Sequence, residues 1–69
     1  MVDTNRLKAA LHKKGITVSQ ASEAIGVNSA TFFRRLNRQG ATFTVEEIEK
    51  LADLLEFDGK TIQSIFFAR

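Results

Sequence analysis

Two capping boxes, Thr17-Val-Ser-Gln20 and Thr44-Val-Glu-Glu47, fix where two helices begin in a chain that contains no proline at all. In each, a threonine side chain is placed to accept from the backbone three residues on, and the Gln or Glu at that position reaches back to the threonine N–H. Ile16 and Ala21 form a weak hydrophobic staple across the first box, and Phe43 and Ile48 stand at the staple positions of the second. Other helix signals fill in around them. Asp3 or Thr4 can cap a first helix that carries Leu7, Ala10 and Leu11 and ends in Lys13, Lys14 and Gly15, the cations and glycine that suit a C-terminus. The helix opened by Thr17 stops at Gly26. Asn28 caps a third, with Phe32, Phe33 and Leu36, which fades into the polar stretch from Asn37 to Thr42. The fourth helix turns Ile48, Leu51, Ala52 and Leu55 inward and leaves Glu46, Glu47, Glu49, Lys50 and Asp53 in water. Asp58-Gly59 then turns the chain into a last helix, Lys60 to Phe66, with Ile62, Ile65 and Phe66 on one face; Ser64 to Ala68 is an alternative short strand should it pair with a second subunit. The expectation is an all-α bundle of about five short helices in a single domain spanning residues 1–69.

With 69 residues there is room for one small core, which excludes a two-domain enzyme. No cysteine is available for a disulfide or a thiolate metal site, and the single His12 cannot build a zinc site by itself. No metal or other cofactor is therefore expected. No uncharged run approaches a membrane span and no sorting signal stands out, so a cytoplasmic protein with no membrane partner is expected. An enzyme has little support, and with it any small-molecule substrate: nothing beside His12 resembles a nucleophile, a carboxylate pair or a glycine-rich phosphate loop.

Charge is divided unevenly along the chain. Residues 1–40 carry seven lysines and arginines against two acids, and residues 41–69 carry three against six. A positive pole on so small a body attracts a polyanion, of which nucleic acid is the commonest.

The informative stretch runs from Thr17 to Leu36. Two short helices are joined there through Ile25-Gly26-Val27-Asn28, the connection of a helix-turn-helix. Gly26 stands where the chain reverses and a left-handed backbone costs least without a Cβ. Small Ala21 and Ser22 leave room for the second helix to cross closely, and Ile25, Val27, Phe32 and Leu36 are placed to wedge the angle between the two. An ordinary αα-corner would show the same glycine and the same apolar positions.

The chain resembles the phage repressor and Cro-like (XRE-type) helix-turn-helix family. The resemblance runs over nearly its whole length, from Asn5-Arg-Leu-Lys8 through Ser22-Glu-Ala-Ile-Gly-Val-Asn-Ser-Ala-Thr-Phe-Phe-Arg-Arg-Leu36 to Thr44-Val-Glu-Glu-Ile-Glu-Lys-Leu-Ala-Asp-Leu-Leu55. It implies a lambda-repressor-like bundle whose third helix enters the major groove of double-stranded DNA, commonly as a homodimer on a near-palindromic operator. It departs from the family at Val18, where many members carry a phosphate-clamping glutamine; Thr17, Ser19 or Gln20 would take that role. The resemblance implies base contacts at Ser29, Ala30, Phe33 and Arg34. Helical geometry agrees on Ala30 and Arg34, which it sets with Thr31 and Arg38 opposite a cluster of Ser29, Phe32, Phe33 and Leu36, and so disagrees on Phe33. Arg34 can offer a guanidinium fork to guanine, Ser29 can donate or accept, and Ala30 can touch a thymine methyl. Asn28, Thr31, Arg35, Asn37, Arg38 and the Lys13-Lys14 pair are expected at phosphates. Arg35 has a competing reading as the partner of Glu23 or of an acid on the fourth helix.

Ile65, Phe66 and Phe67 cannot all turn inward on one helix. Phe67, with Phe66 or Ile62, is the expected dimer interface, which would set two third helices about 34 Å apart for successive major grooves. The leading function is a DNA-binding transcriptional regulator, a phage or prophage repressor of Cro type. The alternative is a helix-turn-helix protein-interaction module, docking on another repressor or acting as an antitoxin-like partner.

Overall fold

The computed structural model describes residues 1–38 and 42–68, and among these the chain is all-helical: α1 (Thr4–Lys14), α2 (Val18–Ile25), α3 (Ser29–Leu36), α4 (Val45–Leu55) and α5 (Gly59–Phe66). Half of the polar stretch expected after α3, residues 39–41, lies outside the described residues.

Each of these helices opens on a side-chain cap. Asp3, Thr17, Asn28, Thr44 and Asp58 accept from the backbone N–H groups of Arg6, Gln20, Ala30, Glu47 and Thr61, and both capping boxes are closed in each direction. Asp58-Gly59 is thus a helix start and not the separate turn read from the sequence: Asp58 is the cap and Gly59 the first residue of α5. Hydrogen bonds from the Thr61 side chain and backbone hold the Asp58 carboxyl below its ordinary pKa.

Three helix ends share one device. At Gly15, Gly26 and Glu56 the backbone turns left-handed, and the next residue, Ile16, Val27 or Phe57, donates its N–H back to the carbonyl of Leu11, Ser22 or Ala52. This is the Schellman pattern, in which an apolar residue follows the left-handed position and folds onto the helix it ends. Ile16, Val27 and Phe57 all pack against the core. Glycine suits the first two positions, at φ 68° and 78°, but Glu56 holds φ 57° with a Cβ. Its exposed ion pair with Lys14, at 3.4 Å, contributes little. Glu56→Gly is therefore expected to stabilise the fold, by up to about 1 kcal/mol, as a rise in the urea midpoint at unchanged slope.

Phe32, Leu7, Leu36, Leu51 and Leu55 are the largest fully buried side chains, so α3, packed on α1 and α2, sends two of its residues into the core that Leu7 of α1 and Leu51 and Leu55 of α4 share. Helix α2 packs against both α3 and α4, with Ala21 and Ser22 buried where the elements approach. The chain ends are drawn together as Asp3 N–H donates to the Ile65 carbonyl at 2.6 Å and the Met1 ammonium to the Ala68 carbonyl at 3.0 Å. Helix α5 runs to Phe66, so the last segment is helical rather than the alternative strand. Phe66 is buried in the core and Ile62 is partly buried against it, whereas Phe67 is 57% exposed. Of the three side chains expected at a dimer interface, Phe66 is consequently withdrawn from the surface.

Candidate nucleic-acid interface

Helix α3 is divided lengthwise. Phe32 and Leu36 are buried, Thr31 and Arg35 are partly covered, and Ser29, Ala30, Phe33, Arg34, Asn37 and Arg38, just past its end, face solvent. Ser29 is exposed and Phe33 is 58% exposed, so both belong with the outward residues and not on the core side where helical geometry groups them. The grouping fails because the inward stripe of an eight-residue helix is narrow: Phe32 and Leu36, four apart, already fill it.

Arg34 Nη2 donates to Thr31 Oγ1 at 3.2 Å, laying the guanidinium back along the outer face toward the start of the helix. Among the described residues no acid pairs with Arg34 or Arg38. Together with Thr31 and Arg35 they line an open cleft of about 290 Å³, three of whose four lining side chains are arginines. The N-terminal edge of α2 is also exposed. Thr17 and Gln20 are engaged with each other in the capping box there, which leaves the Thr17 hydroxyl hydrogen, the Gln20 amide nitrogen and the Ser19 hydroxyl to meet an outside group. Val18 takes no part in that edge, being partly buried against the core.

Arg35 has a different situation. Its Nη1 lies 3.1 and 3.0 Å from the two carboxylate oxygens of Glu47, and its guanidinium carbon stands 5.4 Å from the centroid of Phe43. The Phe43 ring in turn meets Phe32 and Phe66 edge to face, at 6.1 and 6.0 Å. Thus the fourth-helix pairing, not an unengaged phosphate contact, describes Arg35 in the folded chain. Glu47, expected in water, is buried. Periodicity misplaced it because its carboxylate is bent back over the helix start, accepting from Thr44 N–H at 2.8 Å while Arg35 covers it. Burial pushes the Glu47 carboxyl up, but hydrogen bonds from Thr44 and the hydrogen bond and charge of Arg35 outweigh this and hold its pKa below the ordinary value.

The sign of that shift sets a pH dependence. A depressed carboxyl stabilises the fold fully above its unfolded pKa and loses that contribution as pH falls through the folded value. Gln20 shows that glutamine can close a capping box in this chain. Glu47→Gln is accordingly expected to keep the cap but lose the ion pair, costing about 1–3 kcal/mol at pH 7. Its stability should also fall less steeply than the parent's below about pH 4.5, as chemical denaturation at a series of pH values would show.

Lys8 was not singled out from the sequence. Its Nζ donates to Asn37 Oδ1 at 3.2 Å, while Asn37 Nδ2 donates to the Phe33 carbonyl at 2.9 Å, which brings a cation from α1 to the far end of the α3 face. No local signal marks it, since only the packing of α1 on α3 makes the two neighbours. Lys13 and Lys14 go elsewhere: they line a cleft at the α4–α5 junction, with Glu56 and Asp58 on its other wall. Among the described residues no group of three or more His, Cys, Asp or Glu is placed to hold a metal, and no helix is long and apolar enough to cross a membrane.

Two short helices joined through a left-handed glycine, the second anchored by Phe32 and Leu36 and presenting an outward arginine, define a helix-turn-helix domain. A family model described as winged helix-turn-helix DNA-binding matches residues 2–66, and the chain belongs to that family. No strand is present among the described residues. No curated protein and no solved structure gives a significant match. What the family shares with the repressor- and Cro-like resemblance is the DNA-binding helix-turn-helix itself, and double-stranded DNA is the partner it supports.

Proposed function

We propose that residues 1–69 act as one sequence-specific DNA-binding domain of a transcriptional regulator, a phage or prophage repressor of Cro type, with α3 lying in the major groove. The observation that carries this reading is Arg34: an arginine without an acid partner among the described residues, projecting from the face of α3 opposite its two core anchors. Ser29, Ala30, Phe33 and Arg34 face the base edges. Thr17, Ser19, Gln20, Asn28, Thr31, Asn37 and Arg38 approach phosphates, joined by Lys8 at the Asn37 end. Arg35 acts from behind, holding α3 to the start of α4 through Glu47. A second copy meets the first through exposed Phe67, with partly buried Ile62 of α5 contributing, so that two α3 helices address successive turns of one operator.

Selection of bound sequences from a randomised duplex pool tests the proposal. A defined site is expected, palindromic if two copies bind it. Affinity for that site should fall with salt at a log–log slope of about −0.9 per phosphate neutralised, and Arg38→Ala should reduce the slope by about one unit. Exposed Phe33 on α3 is the observation that favours the second reading, a protein-interaction module, since an exposed aromatic ring is a common centre of protein contacts. No enrichment of any sequence, with binding indifferent to salt, would decide for the module.

A further inference from the structure

The outward face of α3 carries an apolar pair that the bundle does not use. Phe33 is 58% exposed although the core has already taken Phe32 and Leu36 from the same helix. Ala30, also exposed, lies three residues before it and therefore next to it on the helix surface. The ring is not loosely hung. It forms one wall of a shallow groove with Leu11, Ile16 and Val18, and the turn that follows it is tied by Asn37 to the Phe33 carbonyl and to Lys8. Arg34 stands on the adjacent edge of the same face, turned toward Thr31.

In the major groove the base edges are built mostly of hydrogen-bond donors and acceptors, and the group among them that offers a bulky apolar surface is the C5-methyl of thymine. An aromatic ring pressed against the donors and acceptors would strip their water and return nothing, whereas a methyl group is its complement. We propose that Ala30 and Phe33 make α3 a reader of thymine C5-methyl groups, set beside a guanine taken by Arg34. This rests on the DNA-binding reading above and adds the chemical group recognised.

The test replaces thymine by deoxyuridine, which removes the methyl and leaves pairing and the O4 acceptor unchanged. The tightest duplex recovered from the randomised pool is made with deoxyuridine at each thymine in turn and titrated with the parent protein, Phe33→Ala and Phe33→Leu. At one or two positions deoxyuridine should weaken the parent by about fourfold, the effect of one buried methyl. Phe33→Ala should bind the thymine duplex that much more weakly and be indifferent to the exchange at the one position Phe33 reads, while any position read by Ala30 keeps its effect, and Phe33→Leu should retain part of the discrimination. Because Phe33 lies outside the core, both variants should keep the parent's helical circular dichroism. The inference is overturned if the recovered site lacks thymine, if the parent tolerates deoxyuridine everywhere, or if Phe33→Ala weakens both duplexes equally. Any of these results alongside sequence-dependent binding that Arg34→Ala weakens leaves the DNA-binding reading standing; recovery of no preferred duplex overturns both.

Discussion

Phe32→Ala is expected to leave the protein largely unfolded near body temperature. The ring is fully buried, packs edge to face against Phe43 at 6.1 Å and anchors α3 in the bundle. Truncating a buried phenylalanine costs about 3–5 kcal/mol through lost burial and the cavity left behind. A chain of 69 residues has only about 3–10 kcal/mol in total. Thermal melting by circular dichroism should show Tm lowered by about 15–30 °C. A fall of only a few degrees would mean that α3 is held mainly from its flank by Arg35 and Glu47, and would move the anchor of that helix from the core to that ion pair.

The second large effect concerns reading rather than stability. Arg34→Ala removes an exposed side chain whose hydrogen bond in the free protein is to Thr31, so the fold should be unchanged within about 0.5 kcal/mol. On a selected operator it should lose about 1–3 kcal/mol, between roughly fivefold and 150-fold, while binding to random duplex at the same salt falls by much less. The ratio of the two affinities is the quantity to measure. Equal losses on both duplexes would reassign Arg34 to a phosphate and leave sequence reading to Ser29, Ala30 and Phe33.

Most of the fold was legible because its helices are bounded by short-range chemistry. A cap at Asp3, Thr17, Asn28 or Thr44 is a local event, decided within four residues, and so is a left-handed turn at Gly15 or Gly26. What was not legible depends on distant neighbours or on competition between two local signals. Glu47 reads as a surface acid until Arg35, twelve positions earlier, closes over it. The left-handed end of α4 falls on Glu56, which no composition rule favours, while Gly59 attracts the eye as a turn and is instead a helical residue behind the cap Asp58. For the candidate interface, the outward places of Ala30 and Arg34 followed from helical spacing. Phe33 split the argument, because an aromatic residue next to a core aromatic can face either way and only the volume available to Phe32 decides. Lys8 and the burial of Phe66 required the tertiary arrangement.

The lengthwise division of α3 has an evolutionary consequence. Positions 32 and 36 answer to the bundle, whereas positions 29, 30, 33 and 34 answer to whatever lies outside it, and the two sets share no residue. On the proposed reading, substitutions among the outward four burden folding far less than those at 32 and 36, so a lineage carrying this scaffold can drift between targets through a series of viable intermediates. The address is rewritable while the envelope stays sealed.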